Sequence, residues 1–395
     1  MRFKLGALGS VVAAVGALSS SCTDTGVEPL LRGPVATQVQ ASSSGTLVVT
    51  GNTTLTGNHV GNIQIAADNI TLDCAGDTVF GPGVSGFSGG IEVDGRTGVT
   101  VKHCTVTGFN VNGIFGGGTS NSTFTANLLY GNGANGMHLD FGSGNIVVGN
   151  TSRSNGGIGI ALTRSSQSRI EGDTVQDNTV YGGIALLDGS HDNVVVSNTA
   201  TGKGNAIGFL LDNGAYGNQV RENTARSNTN NGFFTRASPN NIFVANTAQQ
   251  NGVGFTLWNV SGNQFRGINA ISNNFLGFEV IQGSSGNTLD SNTANRNVMG
   301  FAIYDGASSN IITRNVANVN TDQGFLFQTT NSNTVTANTG NSNGSVGFLV
   351  IEGSSFNTLT GNIGRANKAV DALDDRSGTG NAWANNNFGT TAGIP

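Results

Sequence analysis

The sequence predicts an all-β fold: a single-stranded right-handed parallel β-helix, a solenoid of about 12–14 coils of 22–25 residues. Three observations predict it. First, a glycine followed by an apolar residue recurs twelve times at intervals of 22 to 25 residues. The glycines are Gly90, Gly113, Gly136, Gly159, Gly183, Gly208, Gly232, Gly254, Gly277, Gly300, Gly324 and Gly347, and from Gly208 onward the next residue is always Phe. Second, each copy holds three short apolar–polar alternations, the length of minimal strands, separated by Gly, Ser and Asn, which tolerate tight turns. Third, no segment sustains a helical period, and Pro occurs only five times.

Side-chain columns give the register. Phe209, Phe233, Phe255, Phe278, Phe301, Phe325 and Phe348 are expected to point inward and stack coil on coil, with Ala200, Ala225, Ala248, Ala294 and Ala317 leaving room for the rings. Asparagine forms two further columns, one from Asn193 to Asn357 and one from Asn198 through Asn269 to Asn362. An amide carries both donor and acceptor, so like amides one strand apart form a hydrogen-bonded ladder. These asparagines therefore read as turn ladders and not as an active site.

The stretch IQIAADNITLDCAGDTVFG (63–81), followed by GGIEVDGRTGVTVKHCTVTGF (89–109), resembles the opening coils of bacterial and archaeal parallel β-helix repeat proteins. These are the NosD-like and pectate-lyase-like group of carbohydrate-binding and sugar-hydrolase domains. The resemblance covers roughly residues 46–385. It implies an extracytoplasmic β-helix that binds or processes polysaccharide, as a lyase, hydrolase or epimerase would; as an enzyme it would be a polysaccharide lyase or glycoside hydrolase. The alternative is a non-catalytic surface protein serving adhesion or envelope structure, because this fold hosts both. Alginate epimerases of the fold carry an Asp-Pro-His motif. Here Gly136-Met137-His138-Leu139-Asp140 exchanges His and Asp and lacks the Pro. The copper that the NosD name suggests is not expected, since the domain has only Met137 and Met299 and its histidines are scattered.

Residues 1–22 read as an export signal: Arg2 and Lys4 start it, and the apolar stretch Leu5 to Leu18 is too short to span a bilayer. Cys22 follows Leu18-Ser-Ser-Ser, similar to a bacterial lipoprotein box with the leucine one place too far. Cys22 is thus a candidate lipidation site, with ordinary cleavage near Ser19–Ser21 as the alternative. Residues 23–45 read as a flexible tether, residues 46–385 as the β-helix and residues 386–395 as a C-terminal tail. The protein is expected outside the cytoplasm, lipid-anchored at the envelope or secreted, with membrane contact only through the N-terminal lipid. Cys74 and Cys104 lie on neighbouring coils, either as a disulfide or as two buried free thiols. Loss of the signal deepens the net charge from −5 to −7. No basic stripe appears, which argues against nucleic acid and makes a strongly anionic polysaccharide a harder ligand.

In the glycine-led strand, offsets +1 and +3 face the core and +2 and +4 face outward. Early coils carry Glu92 and Asp94, then Phe115 and Gly117, then His138 and Asp140, with Arg164 near by. The pairs Glu92/Asp94 and His138/Asp140, flanking a small-residue coil about 10 Å apart, would form a notch. Glu92, Asp94, His138, Asp140 and Arg164 are therefore the candidate catalytic residues, supplying acid, base and clamping groups for a sugar ring. Glu92, Asp94 and Asp140 could instead hold Ca²⁺; no other cofactor is implied. The plain alternative is a solvated turn, since acids recur there as Asp188, Asp212, Asp305 and Glu352. From Leu187 onward the outward face becomes apolar and aromatic: Leu187, Leu210, Phe234, Trp258, Ile281, Tyr304, Leu326 and Ile351. Phe234, Trp258 and Tyr304 are candidate sugar-stacking residues, for a polysaccharide or cell-surface glycan; a partner chain or the C-terminal tail covering the stripe is the alternative.

Overall fold

The computed structural model describes residues 37–39, 44–81 and 89–394. The expected export signal, Cys22 and nearly all of the tether lie outside the described residues. Residues from Ala36 to Pro395 form one compact unit, and no described residue is helical. Three parallel sheets build the solenoid. Two hold 16 strands each, and the third face is divided into runs of 10 and 3, linked by single bridges through Thr293 and Val316. Pairing runs past both expected boundaries of the repeat. Thr37–Val39 pairs with Thr53–Leu55, and the stretch expected as a tail supplies Asn387–Phe388 and Thr391–Ala392 to the last coil. The reason is that even two residues in register satisfy backbone groups that an open edge would leave unpaired.

The glycine-led sheet runs from Leu47–Val49 to Thr391–Ala392. Its register aligns Phe209, Phe233, Phe255, Phe278, Phe301, Phe325 and Phe348 rung by rung. Consecutive rings stack face to face with centroids 4.4–5.0 Å apart, and all are at most 2% exposed. A shorter stack, Phe243 on Phe265 at 4.5 Å, meets the main one edge-on through Phe255 and Phe278. Each buried ring contributes about 1.5–3 kcal/mol of transfer free energy.

The repeat glycine is required by close approach. A Cβ on Gly277 would lie 2.7 Å from the Gly300 carbonyl oxygen and 2.6 Å from the Ala294 Cβ. A Cβ on Gly300 would meet the Gly324 oxygen and Ala317 at 2.6 Å each. The small alanine column therefore packs against the glycine column, and it continues through Ala270, which is also fully buried.

The amide ladders exist, with one correction and one addition. Asn193, Asn218, Asn241, Asn263, Asn287, Asn310, Asn333 and Asn357 form the first; most rungs donate both N–H and side-chain Nδ2 to the next Oδ1. The second runs through Asn198, Asn223 and Asn246 and resumes at Asn292. Asn269 does not belong to it. The coil between Asn241 and Asn263 is 22 residues long, which puts Ile268 in the ladder position, its N–H donating to Asn292 Oδ1; Asn269 is exposed. A third ladder, not foreseen, lies just before the glycine-led strand, from Asn132 to Asn205 and from Asn228 to Asn367. It ends on the Asp371 carboxylate, which accepts from Asn367. Each corner of the triangular coil thus has its own ladder.

One rung departs from the pattern. In the second ladder Asp173 stands between Asn150 and Asn198. Its Oδ1 accepts from the Asn150 backbone and side-chain nitrogens at 2.6 and 2.9 Å, while its buried Oδ2 has no partner.

Candidate functional site

The glycine-led sheet positions both groups of candidates. Register places Glu92, Phe115, His138 and Ala161 side by side on successive rungs, and Gly117, Asp140 and Thr163 in the neighbouring outward column. Asp94 Oδ1 accepts from Gly117 N at 2.7 Å, so Asp94 and Asp140 do flank the small-residue coil. Each candidate is already engaged. Glu92 is buried and accepts from Gly89 N at 3.3 Å. Asp140 is gripped by Arg164 through Nε and Nη2 at 3.1 and 2.6 Å, and that guanidinium lies 4.0 Å over the exposed Phe141 ring. His138 Nε2 bonds to Thr163 Oγ1 at 3.0 Å, and its ring meets Phe115 edge-on at 5.5 Å. Burial lowers the His138 imidazole below its ordinary value, against a smaller opposing pull from Asp140. Burial raises the Asp94 carboxyl, with Gly117 N opposing. No group of three or more potential metal ligands gathers among the described residues.

The apolar stripe resolves into two adjoining outward columns. In one, Leu210, Phe234, Thr256, Glu279, Ala302 and Leu326 follow rung by rung. In the other, Arg236, Trp258 and Ile281 do so, with Tyr304 and Gln328 continuing on later coils. Outward does not mean exposed throughout. Ala161, Ala185 and Leu210, with Ile158 and Ile207, form a second apolar cluster on the outer face, partly shielded by Tyr181, Leu187 and Phe234. Ile281 and Leu326 are also buried, at 5% exposure each.

Four partly exposed side chains on successive coils make a path that zigzags between the two columns: Phe234, Trp258, Glu279 and Tyr304. Phe234 and Trp258 meet edge-on at 6.4 Å. Glu279 was missed by the reading of the sequence. It anchors a relay in which Asn231 Nδ2 donates to Thr256 Oγ1 (2.7 Å), Thr256 donates to Glu279 Oε2 (2.9 Å), and the Tyr304 hydroxyl donates to Glu279 Oε1. Burial and the adjacent Glu279 charge raise the Tyr304 phenol, which keeps it a donor. Beside this path Asp212 holds Arg236 through two bonds of 2.8 and 2.5 Å. The signal that could have found Glu279 is its position: after Glu92 it is the only acid at offset +2 of a glycine-led strand.

Cys74 and Cys104 are joined by a disulfide, with Cα atoms 4.7 Å apart, and both residues are buried.

The sequence matches the family described as "Right handed beta helix region" over residues 44–207. It matches the family described as "Periplasmic copper-binding protein (NosD)" over 183–293 and 280–392, overlapping stretches that exceed half the chain. The chain belongs to the NosD-type right-handed β-helix repeat family. No curated protein matches it significantly. Among solved structures, it is similar to the mannuronan C-5 epimerase AlgE4 A-module of Azotobacter vinelandii (15% identity, 87% of each chain, TM-score 0.42). It is also similar to the catalytic domain of a GH87 α-1,3-glucanase (13% identity, 88% of this chain and 65% of that one, TM-score 0.42). The Dettilon tailspike protein aligns at 14% identity and TM-score 0.38, and the alignment covers 87% of this chain but less than two thirds (62%) of the tailspike.

Proposed function

We propose that this chain is an extracytoplasmic β-helix protein that binds polysaccharide along the outer face of its glycine-led sheet. The observation that carries the reading is the Phe234–Trp258–Glu279–Tyr304 path. Two partly exposed aromatic rings, set edge-on to each other, stand beside a carboxylate and a phenol already fixed by protein hydrogen bonds, which is the pairing of apolar ring surface and preplaced polar groups that a sugar requires. Coil spacing makes the path about 14 Å long, enough for several rings of an extended glycan. The disulfide between Cys74 and Cys104 and the periplasmic family description support an oxidising, extracytoplasmic setting. In this reading residues 1–22 export the chain, and Cys22 with the following tether would anchor it.

The notch is where lyase-, hydrolase- or epimerase-like chemistry would sit. A non-catalytic role is favoured by one specific observation: Glu92, Asp94 and Asp140 are each committed to a backbone N–H or an arginine. The test is co-sedimentation of the full chain with a panel of polysaccharides, followed by mass spectrometry of the soluble fraction. Retention without product, abolished by Trp258→Ala, is the expected result. Shortened, unsaturated or epimerised products would move the function to the notch, and no retention on any member would refute glycan binding.

A further inference from the structure

We infer that the groove is built for an uncharged glycan and discriminates against uronate polymers. The inference rests on the binding reading above and specifies its ligand class. Across the eight glycine-led strands from Gly182–Leu187 to Val346–Ile351, the only basic side chain is Arg236. That guanidinium is already held by two bonds to the Asp212 carboxylate, so it has little capacity left to clamp a ligand carboxylate. The other charge on the path, Glu279, is negative. It is held in place by donors from Thr256 and Tyr304. At the strand ends the same face adds Asp188, Asp305 and Glu352.

A polyuronate laid along Phe234, Trp258 and Tyr304 would bring a carboxylate on every ring past this negative edge, with no free cation on these eight described strands to receive it. Like charges brought together at a desolvating surface repel. A bridging divalent ion would be held best by several carboxylates, and no group of three or more His, Cys, Asp or Glu gathers among the described residues. A neutral chain meets no such cost. Its hydroxyls can donate to Glu279, whose oxygens retain lone pairs beyond those used by Thr256 and Tyr304, while its apolar ring surface packs against Trp258, with Phe234 edge-on beside it.

The experiment is affinity gel electrophoresis of the full chain in gels containing glucan, mannan, xylan or soluble chitin oligomers on one side, and polygalacturonate or alginate on the other. Each gel is run at low and moderate salt, and Trp258→Ala is run alongside. Retardation by at least one neutral polymer, weakened tenfold or more by Trp258→Ala and accompanied by little or no retardation in either uronate, is the expected result. Stronger retardation by a uronate than by any neutral polymer would overturn the charge-class inference while leaving the binding reading standing. No Trp258-dependent retardation in any gel would overturn both.

Discussion

Replacing Asp173 by Asn is expected to stabilise the protein, and to do so only above acidic pH. In the second ladder each amide nitrogen reaches back to a backbone carbonyl: Asn150 Nδ2 donates to Phe124 O and Asn198 Nδ2 to Ile170 O. Register places Val147 between those two residues, so Val147 O is the acceptor that position 173 should serve. An ionised carboxylate has no proton to offer it, which fits the unpartnered Oδ2. A protonated acid does. Burial lifts the Asp173 carboxyl from 3.8 to about 7, with the nearby Glu171 charge adding to the rise and the Asn150 donors opposing it. Because the folded value is raised, the rung is fully stable below about pH 4. Its stability is lost as pH rises, the loss becoming complete once pH passes about 7. At about 1.36 kcal/mol for each tenfold change in proton affinity, the loss is about 4 kcal/mol, a large share of a domain's net stability.

Urea melts of the native chain and of Asp173→Asn at pH 4.5 and pH 8.5 measure this. Other ionisable groups titrate alike in both proteins, so the difference between them isolates the rung. The expected difference is below about 1 kcal/mol at pH 4.5 and several kcal/mol in favour of Asn at pH 8.5. A difference independent of pH, or a less stable Asn variant at pH 8.5, would refute the protonated-rung argument.

Phe278 is fully buried between Phe255 and Phe301, and Phe278→Ala should cost about 3–5 kcal/mol in the same melt; a change near zero would mean that the stack is not a stabiliser. Gly277→Ala forces a Cβ against the Gly300 carbonyl and should destabilise by about 1–3 kcal/mol through displaced backbone, whereas an unchanged midpoint would contradict the close-approach account. Cys104→Ser opens a disulfide spanning 30 residues and should lower stability by about 3 kcal/mol under non-reducing conditions, with reductant lowering the native chain towards the variant.

The fold was legible because a solenoid repeats its own constraints. A glycine that must sit under the next coil's carbonyl, a phenylalanine that must stack and an amide that must pair recur in the sequence wherever they recur in space. One departure in period hid a rung of the second ladder. Asn269 was drawn into the ladder by its identity, but a coil of 22 residues moved the rung to Ile268. The third ladder passed unnoticed because its asparagines sit in the Gly- and Ser-rich turns, where Asn is unremarkable without register. The sites were less legible. The repeat spacing puts the notch residues on neighbouring coils, where they stand in the structure, but Arg164 engaging Asp140 and Glu92 turning to the Gly89 backbone depend on side-chain geometry. Glu279 was overlooked because its partners Thr256 and Tyr304 lie 23 and 25 residues away and become neighbours only after the chain is wound.

The most direct measurement of the central claim is calorimetric titration of a retained polysaccharide into four proteins: the native chain, Trp258→Ala, Glu279→Gln and His138→Ala. The account predicts that Trp258→Ala and Glu279→Gln weaken binding, the first by tenfold or more, while His138→Ala binds as the native chain does. Binding lost in His138→Ala and kept in Trp258→Ala would place the ligand at the notch and contradict it.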